Sequence, residues 1–345
     1  MPLKSTENHA GSAREVSLEE KVAFLRSPAA YPGVAKPITV RETHMSWVFL
    51  IGDQVFKLKK PLRNSFLNFS TLEARKFNCQ EEIRLNRRLA SDVYLGAVPL
   101  AVTPDGKLAI DSPGRVVDWL VKMRRLPEEQ MLDDMIAQRR VTHADIDAIA
   151  DRMATFYARL GPADLRPEEF VAGFRRELAK SEAVLTRSDF DLPQAEVGDI
   201  TGALGNFLTR EGGLLRAVVE RGQVVEGHGD LRPEHVCLTD PPAIIDCLEF
   251  NRSLRLVDPI DELAFLGLEC EVLGAPDIGP ILMARFTAVT GLTPEPRLTA
   301  FYTGYRASLR ARLCLLHLLE PKPRQPDKWL PLARTYLAIA RRALG

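Results

Sequence analysis

The chain has 345 residues, 46% of them hydrophobic and 27% charged, which excludes a disordered tail or a fibre and suffices for two lobes that each bury a core. With 46 lysines and arginines against 46 aspartates and glutamates, no global field argues for nucleic acid or a membrane surface as partner. The 5 cysteines are scattered and form no C-x-x-C pair, as expected of reduced, buried thiols in a cytoplasmic protein.

Residues 1–16 are polar and read as a loose leader, and no apolar run approaches the roughly 18 residues of a membrane span. Ser17-Leu18-Glu19-Glu20 has capping-box spacing and predicts a short helix toward Arg26, ended by Pro32 and Gly33. Strands follow over 38–43, 47–51 and 54–60, the last two joined by Gly52-Asp53, a two-residue hairpin signal. From about 70 to 90 the period turns helical, with Phe77, Ile83, Leu85 and Leu89 among charges. Two more strand pairs are expected around Thr103-Pro104-Asp105-Gly106 and up to 116–121. Helical periodicity then dominates 133–160, 167–185 and 200–221. A small hairpin, 236–238 with 243–245, interrupts it before helices resume beyond Asp258, with an arginine-studded stretch at 302–319. The predicted class is α+β: an N-terminal extension with a short helix (1–36), a small antiparallel β lobe with one helix (37–123), and a larger, mainly helical lobe (124–345).

The chemistry concentrates in His228-Gly229-Asp230-Leu231-Arg232-Pro233-Glu234-His235, which copies the kinase catalytic-loop layout H-R-D-L-x-x-x-N except at its last residue. Phosphoryl transfer needs a carboxylate to orient the accepting hydroxyl, metal ligands to neutralise phosphates, and a lysine on the nucleotide. Asp230 fits the first role. A second aspartate, Asp246, closes the hairpin that follows, and a short loop leading into a hairpin folds back on itself. Asp230, His235 and Asp246 can therefore converge on one metal and phosphate site. Lys57 can reach the nucleotide phosphates from its strand, held by Glu82 or Glu81 of the next helix, with Lys59 on the same face as the rival.

These motifs resemble the aminoglycoside phosphotransferase-like branch of the protein-kinase-like fold. The resemblance rests on Val55-Phe56-Lys57-Leu58, His228-Gly229-Asp230-Leu231, Ile244-Ile245-Asp246, Asp258-Pro259 and Glu262-Leu263-Ala264. More narrowly, Lys57-Leu58-Lys59-Lys60-Pro61 and Val121-Lys122-Met123-Arg124-Arg125-Leu126 are similar to an uncharacterised bacterial group within that branch. The resemblance implies a bilobal kinase that clamps ATP or another nucleoside triphosphate with Mg2+ or Mn2+, the stretch from Met123 to Leu126 forming the adenine-side hinge, and passes phosphate to a small-molecule hydroxyl.

Two departures qualify it. His235 stands where the family has Asn, and imidazole suits softer metals than magnesium. Glu42-Thr43-His44-Met45-Ser46 replaces a glycine-rich lid. The competing class is therefore a nucleotide-binding pseudokinase with little turnover. Around the site, His228 reads as a structural imidazole, and Asp258 and Glu262 as carboxylates that brace the loop through backbone hydrogen bonds. The arginines at 306, 310 and 312 could face the acceptor or an ordinary surface. Arg84 to Arg88 lacks the interleaved aromatics of a nucleic-acid site.

Overall fold

The structure, a computed structural model, describes residues 15–34, 36–64 and 67–345; all of the expected leader except Glu15 and Val16 lies outside them. The chain divides into two compact units. One takes the residues up to Arg87 with Ser91–Arg125, and the other takes Arg88–Ala90 with Leu126–Gly345.

In the first unit, α1 (Leu18–Leu25) starts at the predicted capping box. Ser17 Oγ accepts the Glu20 N–H at 3.2 Å and Glu20 Oε2 accepts the Ser17 N–H at 2.9 Å, satisfying two donors that the first turn leaves without a helical partner. The helix reaches Arg26, its C-cap, as expected, but a Ser27-capped 3-10 turn over Pro28–Ala30 follows it before Pro32. Six antiparallel strands follow: β1 (Ile38–Glu42), β2 (Ser46–Ile51), β3 (Gln54–Lys59), β4 (Tyr94–Val102), β5 (Leu108–Ile110) and β6 (Arg115–Arg124). They form one sheet in the order β1-β2-β3-β6-β4-β5.

Gly52 takes the left-handed conformation (φ +58°) that the two-residue hairpin demands. That turn pairs Ile51 with Gln54 and so sets Lys57 opposite Val48 on β2 and Val121 on β6. Side chains alternate across a strand, so register decides which face meets what. Phe56 and Leu58 join a core with Val22, Leu25 and Tyr31. Lys57 and Lys59 share the opposite face, where Glu82 of α2 (Leu72–Asn86) meets them. Asp118 on β6 ties both helices to the sheet, accepting from Lys21 Nζ at 2.9 Å and Arg75 Nε at 2.7 Å.

The second unit is helical: α3 (Leu132–Ala137), α4 (His143–Ala158), α5 (Pro167–Leu185), α6 (Gln194–Arg210) and α7 (Gly212–Glu220). The helical periodicity over 133–160 is carried by two helices, α3 and α4, because Arg139 is left-handed (φ +54°) and Thr142 with Asp145 makes a fresh capping box. Four two-residue strands follow, β7 (Val225–Glu226), β8 (Val236–Cys237), β9 (Ala243–Ile244) and β10 (Leu256–Val257), paired as β7 with β10 and β8 with β9. The chain then closes with α8 (Pro259–Val272), α9 (Ile278–Thr290), α10 (Pro296–Leu318) and α11 (Pro326–Leu344).

Buried Phe301, Tyr302, Ala307, Ala311 and Leu315 put α10 in the core. Phe174 of α5 meets Phe301 and Tyr305 edge-on at 5.4 and 4.8 Å, each such pair adding about 0.5–1.5 kcal/mol beyond the area it buries. Helices α8 and α9 pack through Gly267 and Gly279, where a Cβ on Gly267 would stand 2.8 Å from the Cα of Gly279. Among the described residues no helix is long and apolar enough to cross a membrane.

Candidate active site

The catalytic-loop sequence lies between β7 and β8 and is irregular except for a 3-10 turn over Pro233–His235. Gly229 explains itself here. Its φ is +87°, and a Cβ would sit 2.9 Å from the carbonyl oxygen of Leu254, so the arginine that protein kinases carry between His and Asp has no room. The loop is held from beneath by Glu262, in the first turn of α8. This buried carboxylate accepts the His228 N–H at 3.0 Å from both oxygens, the Gly229 N–H at 2.5 Å and the Tyr157 hydroxyl at 2.7 Å. Glu262 thus braces the loop as expected. Asp258 does not: it caps its own helix through the Ile260 N–H at 3.0 Å and accepts the Tyr302 hydroxyl at 3.0 Å. As the N-cap, directly before Pro259, it faces the helix's own orphan donors.

His228 is fully buried, and its Nε2 lies 2.8 Å from the Ile245 carbonyl; burial lowers its pKa, so it is a neutral strut that joins the catalytic loop to the hairpin. Asp230 and Asp246 flank a single ring. His235 Nδ1 lies 3.8 Å from Asp230 Oδ2, and its Nε2 lies 3.6 Å from Asp246 Oδ2. The carboxylates that the chain separates by sixteen positions are one imidazole apart. Asp246 is left-handed (φ +62°), a conformation Asp tolerates better than most residues and one that re-aims its side chain at the end of a strand.

The hydrogen bond of 2.8 Å from His235 Nδ1 to the Asp230 carbonyl assigns the proton to Nδ1 and leaves the lone pair on Nε2. That nitrogen lies 3.6 Å from Asp246 Oδ2. A hard divalent cation fits with Asp246 as its carboxylate ligand, since magnesium keeps several waters and shares phosphate oxygens rather than sitting in an all-protein cage. Among the described residues no three His, Cys, Asp or Glu side chains converge to form such a cage. Arg232 crowds the nitrogen, its NH2 group 3.4 Å from His235 Nε2, so His235 is the weaker of the two proposed ligands.

Sequence reasoning gave Arg232 no role, yet it is the side chain most engaged with Asp230. Its Nε donates to Asp230 Oδ2 at 3.1 Å and its NH1 pairs with Glu234 at 2.6 Å. Burial opposes ionisation of Asp230, but Arg232, His235 and Arg310 outweigh it and hold the carboxyl below its ordinary pKa. Asp230 is therefore ionised at neutral pH, the state in which it can accept a proton. The signal that could have found Arg232 was its place two residues from Asp230, inside the motif itself.

In the first unit both lysines share one carboxylate. Lys57 Nζ is 3.0 Å from Glu82 Oε1 and Lys59 Nζ is 2.5 Å from Glu82 Oε2. Lys59 and Glu82 are fully buried, Lys59 over the Phe69 ring at 4.8 Å, while Lys57 keeps some exposure. Glu81, the alternative partner, instead forms a bidentate pair with Arg84 at 2.8 and 2.7 Å. Met123 sits near the end of β6 between β3 and β4, and the boundary between the units falls between Arg125 and Leu126. In place of a glycine-rich lid, β1 and β2 are joined by a turn in which Thr43 Oγ1 accepts the Ser46 N–H at 2.9 Å.

The arginines of α10 do not form an ordinary exposed charged face, since each is ion-paired within the helical unit. Arg306 pairs with Asp261 at 2.8 and 2.6 Å, Arg310 with Glu269 at 3.0 Å, and Arg312 with Glu177 at 2.8 Å. Three buried or half-buried ion pairs inside the helical unit consume them, because α10 is central rather than peripheral. The five cysteines are all buried, and burial pushes the thiol of Cys247, next to Asp246, up to about 12.

No family model matches the chain. Uncharacterized proteins of Mycobacterium tuberculosis and Mycobacterium bovis are each 33% identical to it over 310 residues, covering 85% of this chain and 58% of the relative. The chain thus spans little more than half the length of these relatives. Among solved structures it is similar to a choline kinase from Cryptosporidium parvum (TM-score 0.55, 10% identity, 95% of both chains). A choline/ethanolamine kinase family protein from Mesorhizobium loti gives a TM-score of 0.54 at 16% identity over 94% of both chains. Choline kinase LicA from Streptococcus pneumoniae gives 0.53 at 14% identity over 95% of this chain and 99% of the other. At such identities the likeness is one of fold.

Proposed function

We propose that this chain, which has the protein-kinase-like fold, transfers the terminal phosphoryl group of ATP or another nucleoside triphosphate to a hydroxyl of a small-molecule acceptor. The observation that carries the reading is the grouping of Asp230, His235, Asp246 and Arg232 on one loop and hairpin, braced by Glu262. In the mechanism, Asp230 is ionised and takes or orients the proton of the acceptor hydroxyl. Arg232 fixes the carboxylate through its Oδ2. Lys57, oriented by Glu82, neutralises nucleotide phosphate charge, and Lys59 holds Glu82 in place. A divalent cation at Asp246, Mg2+ or Mn2+, would supply charge neutralisation of the phosphate oxygens when bound. Transfer is direct and in line, since positioning and electrostatics supply most of the catalysis in this chemistry.

The fold's appearance in choline and choline/ethanolamine kinases supports a small-molecule acceptor but does not choose one, because acceptor contacts on a shared fold come from variable loops. The test is Asp230→Asn. Nucleotide affinity, measured by thermal shift with magnesium or manganese, is expected to stay within about threefold while turnover against a metabolite panel falls by a hundredfold or more. Unchanged turnover in the variant would refute the role of Asp230. Nucleotide binding by the wild type with no transfer to any acceptor, and transfer gained on His235→Asn, would mark the chain as a pseudokinase instead.

A further inference from the structure

The segment that follows α2 carries an arginine that the mechanism above leaves unused. Residues Arg88–Ala90 belong to the helical unit although the residues on either side of them belong to the other. They are built in. Leu89 is buried in the main core of the helical unit, and its carbonyl accepts from Arg152 of α4 at 2.9 Å. The guanidinium of Arg88 lies 5.1 Å from the centre of the Phe156 ring. Its NH1 donates to the Glu226 carbonyl at 2.7 Å and its NH2 to the Gly227 carbonyl at 2.8 Å; NH2 also lies 3.4 Å from Cys247 Sγ.

Those three contacts have a common meaning. Glu226 and Gly227 are the last residues before His228-Gly229-Asp230, and Cys247 follows Asp246 directly. The Cys247 thiol in turn reaches the His228 carbonyl at 3.1 Å. One planar, permanently charged fork thus holds the entry to the catalytic loop and the exit from the hairpin aspartate at the same time, which a lysine's single ammonium cannot reproduce. Glu262 fixes the N–H groups of this loop, and Arg88 fixes the carbonyls just before it.

We propose that Arg88 is a positioning residue for phosphoryl transfer, setting the spacing of Asp230 and Asp246 from outside the motif. This rests on the functional reading above. It assigns a role to an arginine whose neighbours, Arg84 and Arg87, are engaged elsewhere, with Glu81 and with the Tyr94 and Leu95 carbonyls.

The experiment compares Arg88→Met, Arg88→Lys and, as a control on the same segment, Leu89→Ala, each in the full chain. Two readouts are needed. Hydrogen–deuterium exchange is expected to rise at least tenfold in peptides spanning 226–232 and 245–250 in Arg88→Met and Arg88→Lys, with the rest of the helical unit unchanged. Leu89→Ala is expected to loosen α4 and the core instead. For nucleotide-dependent phosphate transfer or release, kcat is expected to fall tenfold or more in Arg88→Met, with KM for the nucleotide changed less than threefold, and methylguanidine is expected to restore part of it.

Exchange at 226–232 and 245–250 equal to wild type in Arg88→Met overturns the proposal, whether or not the wild type turns over. So does loss of kcat with global unfolding and no guanidine rescue. A wild type that neither binds nucleotide nor releases phosphate would sink the kinase reading by itself, leaving the exchange result to judge Arg88.

Discussion

Removing the carboxylate of Glu262 should damage the catalytic loop more than its volume implies, and the hydrogen bonds give the size. In Glu262→Ala the N–H groups of His228 and Gly229 and the Tyr157 hydroxyl lose their acceptor, all in a region closed to water. A buried donor left without a partner costs about 1–3 kcal/mol. Three such donors give roughly 3–9 kcal/mol before relaxation, and rotation of the tyrosine hydroxyl brings the expected loss to about 3–5 kcal/mol, against a total stability of about 5–15 kcal/mol for a typical protein.

Glu262→Gln separates hydrogen bonding from packing. With its amide oxygen in the place of Oε1, it still accepts from both His228 and Gly229, and the Tyr157 hydroxyl can turn to accept from the new NH2 group. Only about 1–2 kcal/mol should be lost. Urea unfolding followed by circular dichroism gives the free energies, and amide exchange at 228–230 shows whether the damage is local. An alanine variant within about 1 kcal/mol of wild type, or a glutamine variant as unstable as the alanine one, would refute the reasoning.

Three further outcomes follow from the same geometry. Lys57→Met should abolish the thermal shift given by nucleotide with little change in the protein's own Tm, whereas Lys59→Met, which strips a buried cation from Glu82, should cost about 2–4 kcal/mol and leave a shift; scanning fluorimetry decides, and the reverse pattern would reassign the two lysines. Gly229→Ala should lose about 2–4 kcal/mol through its left-handed backbone and the clash with the Leu254 carbonyl, together with turnover, so a wild-type Tm would count against the turn described. Asp258 is raised to about 6, chiefly by burial. Its folded pKa exceeds the unfolded value of about 3.9, so the unfolded state releases its proton first and stability falls as pH climbs from about 4 to 6, by about 3 kcal/mol in all. Urea midpoints across that window should show this slope in wild type and lose it in Asp258→Asn, and equal slopes would exclude it.

Much of this was legible in the residues. The Gly52-Asp53 turn fixed the register that puts Lys57 and Lys59 on one face, because period-two alternation leaves no freedom once a turn is set. The H-x-D spacing located the loop, and the hairpin located Asp246. Pairwise choices were harder. Glu81 and Glu82 differ by 100° around a helix, and only the placement of α2 against the sheet puts the second inward. The arginines of α10 read as an acceptor face or a surface because a helix that is central to its unit and satisfied by buried carboxylates has the same composition as an exposed charged one. Arg88 went unassigned for a related reason: its partners are two carbonyls and a thiol far along the chain, which no local pattern encodes.

The contact of α8 with α9 through two glycines reaches further than its own packing. Backbones that touch leave no cushion of side chains to absorb an intruding methyl group, so Gly267→Ala would have to pry one helix away from the other. Gly267 lies five residues beyond Glu262 on the same rod, a rise of roughly 7.5 Å. Leverage of that length would lift the end that carries the loop's support, making a position outside the loop a fulcrum for the residues that Glu262 braces.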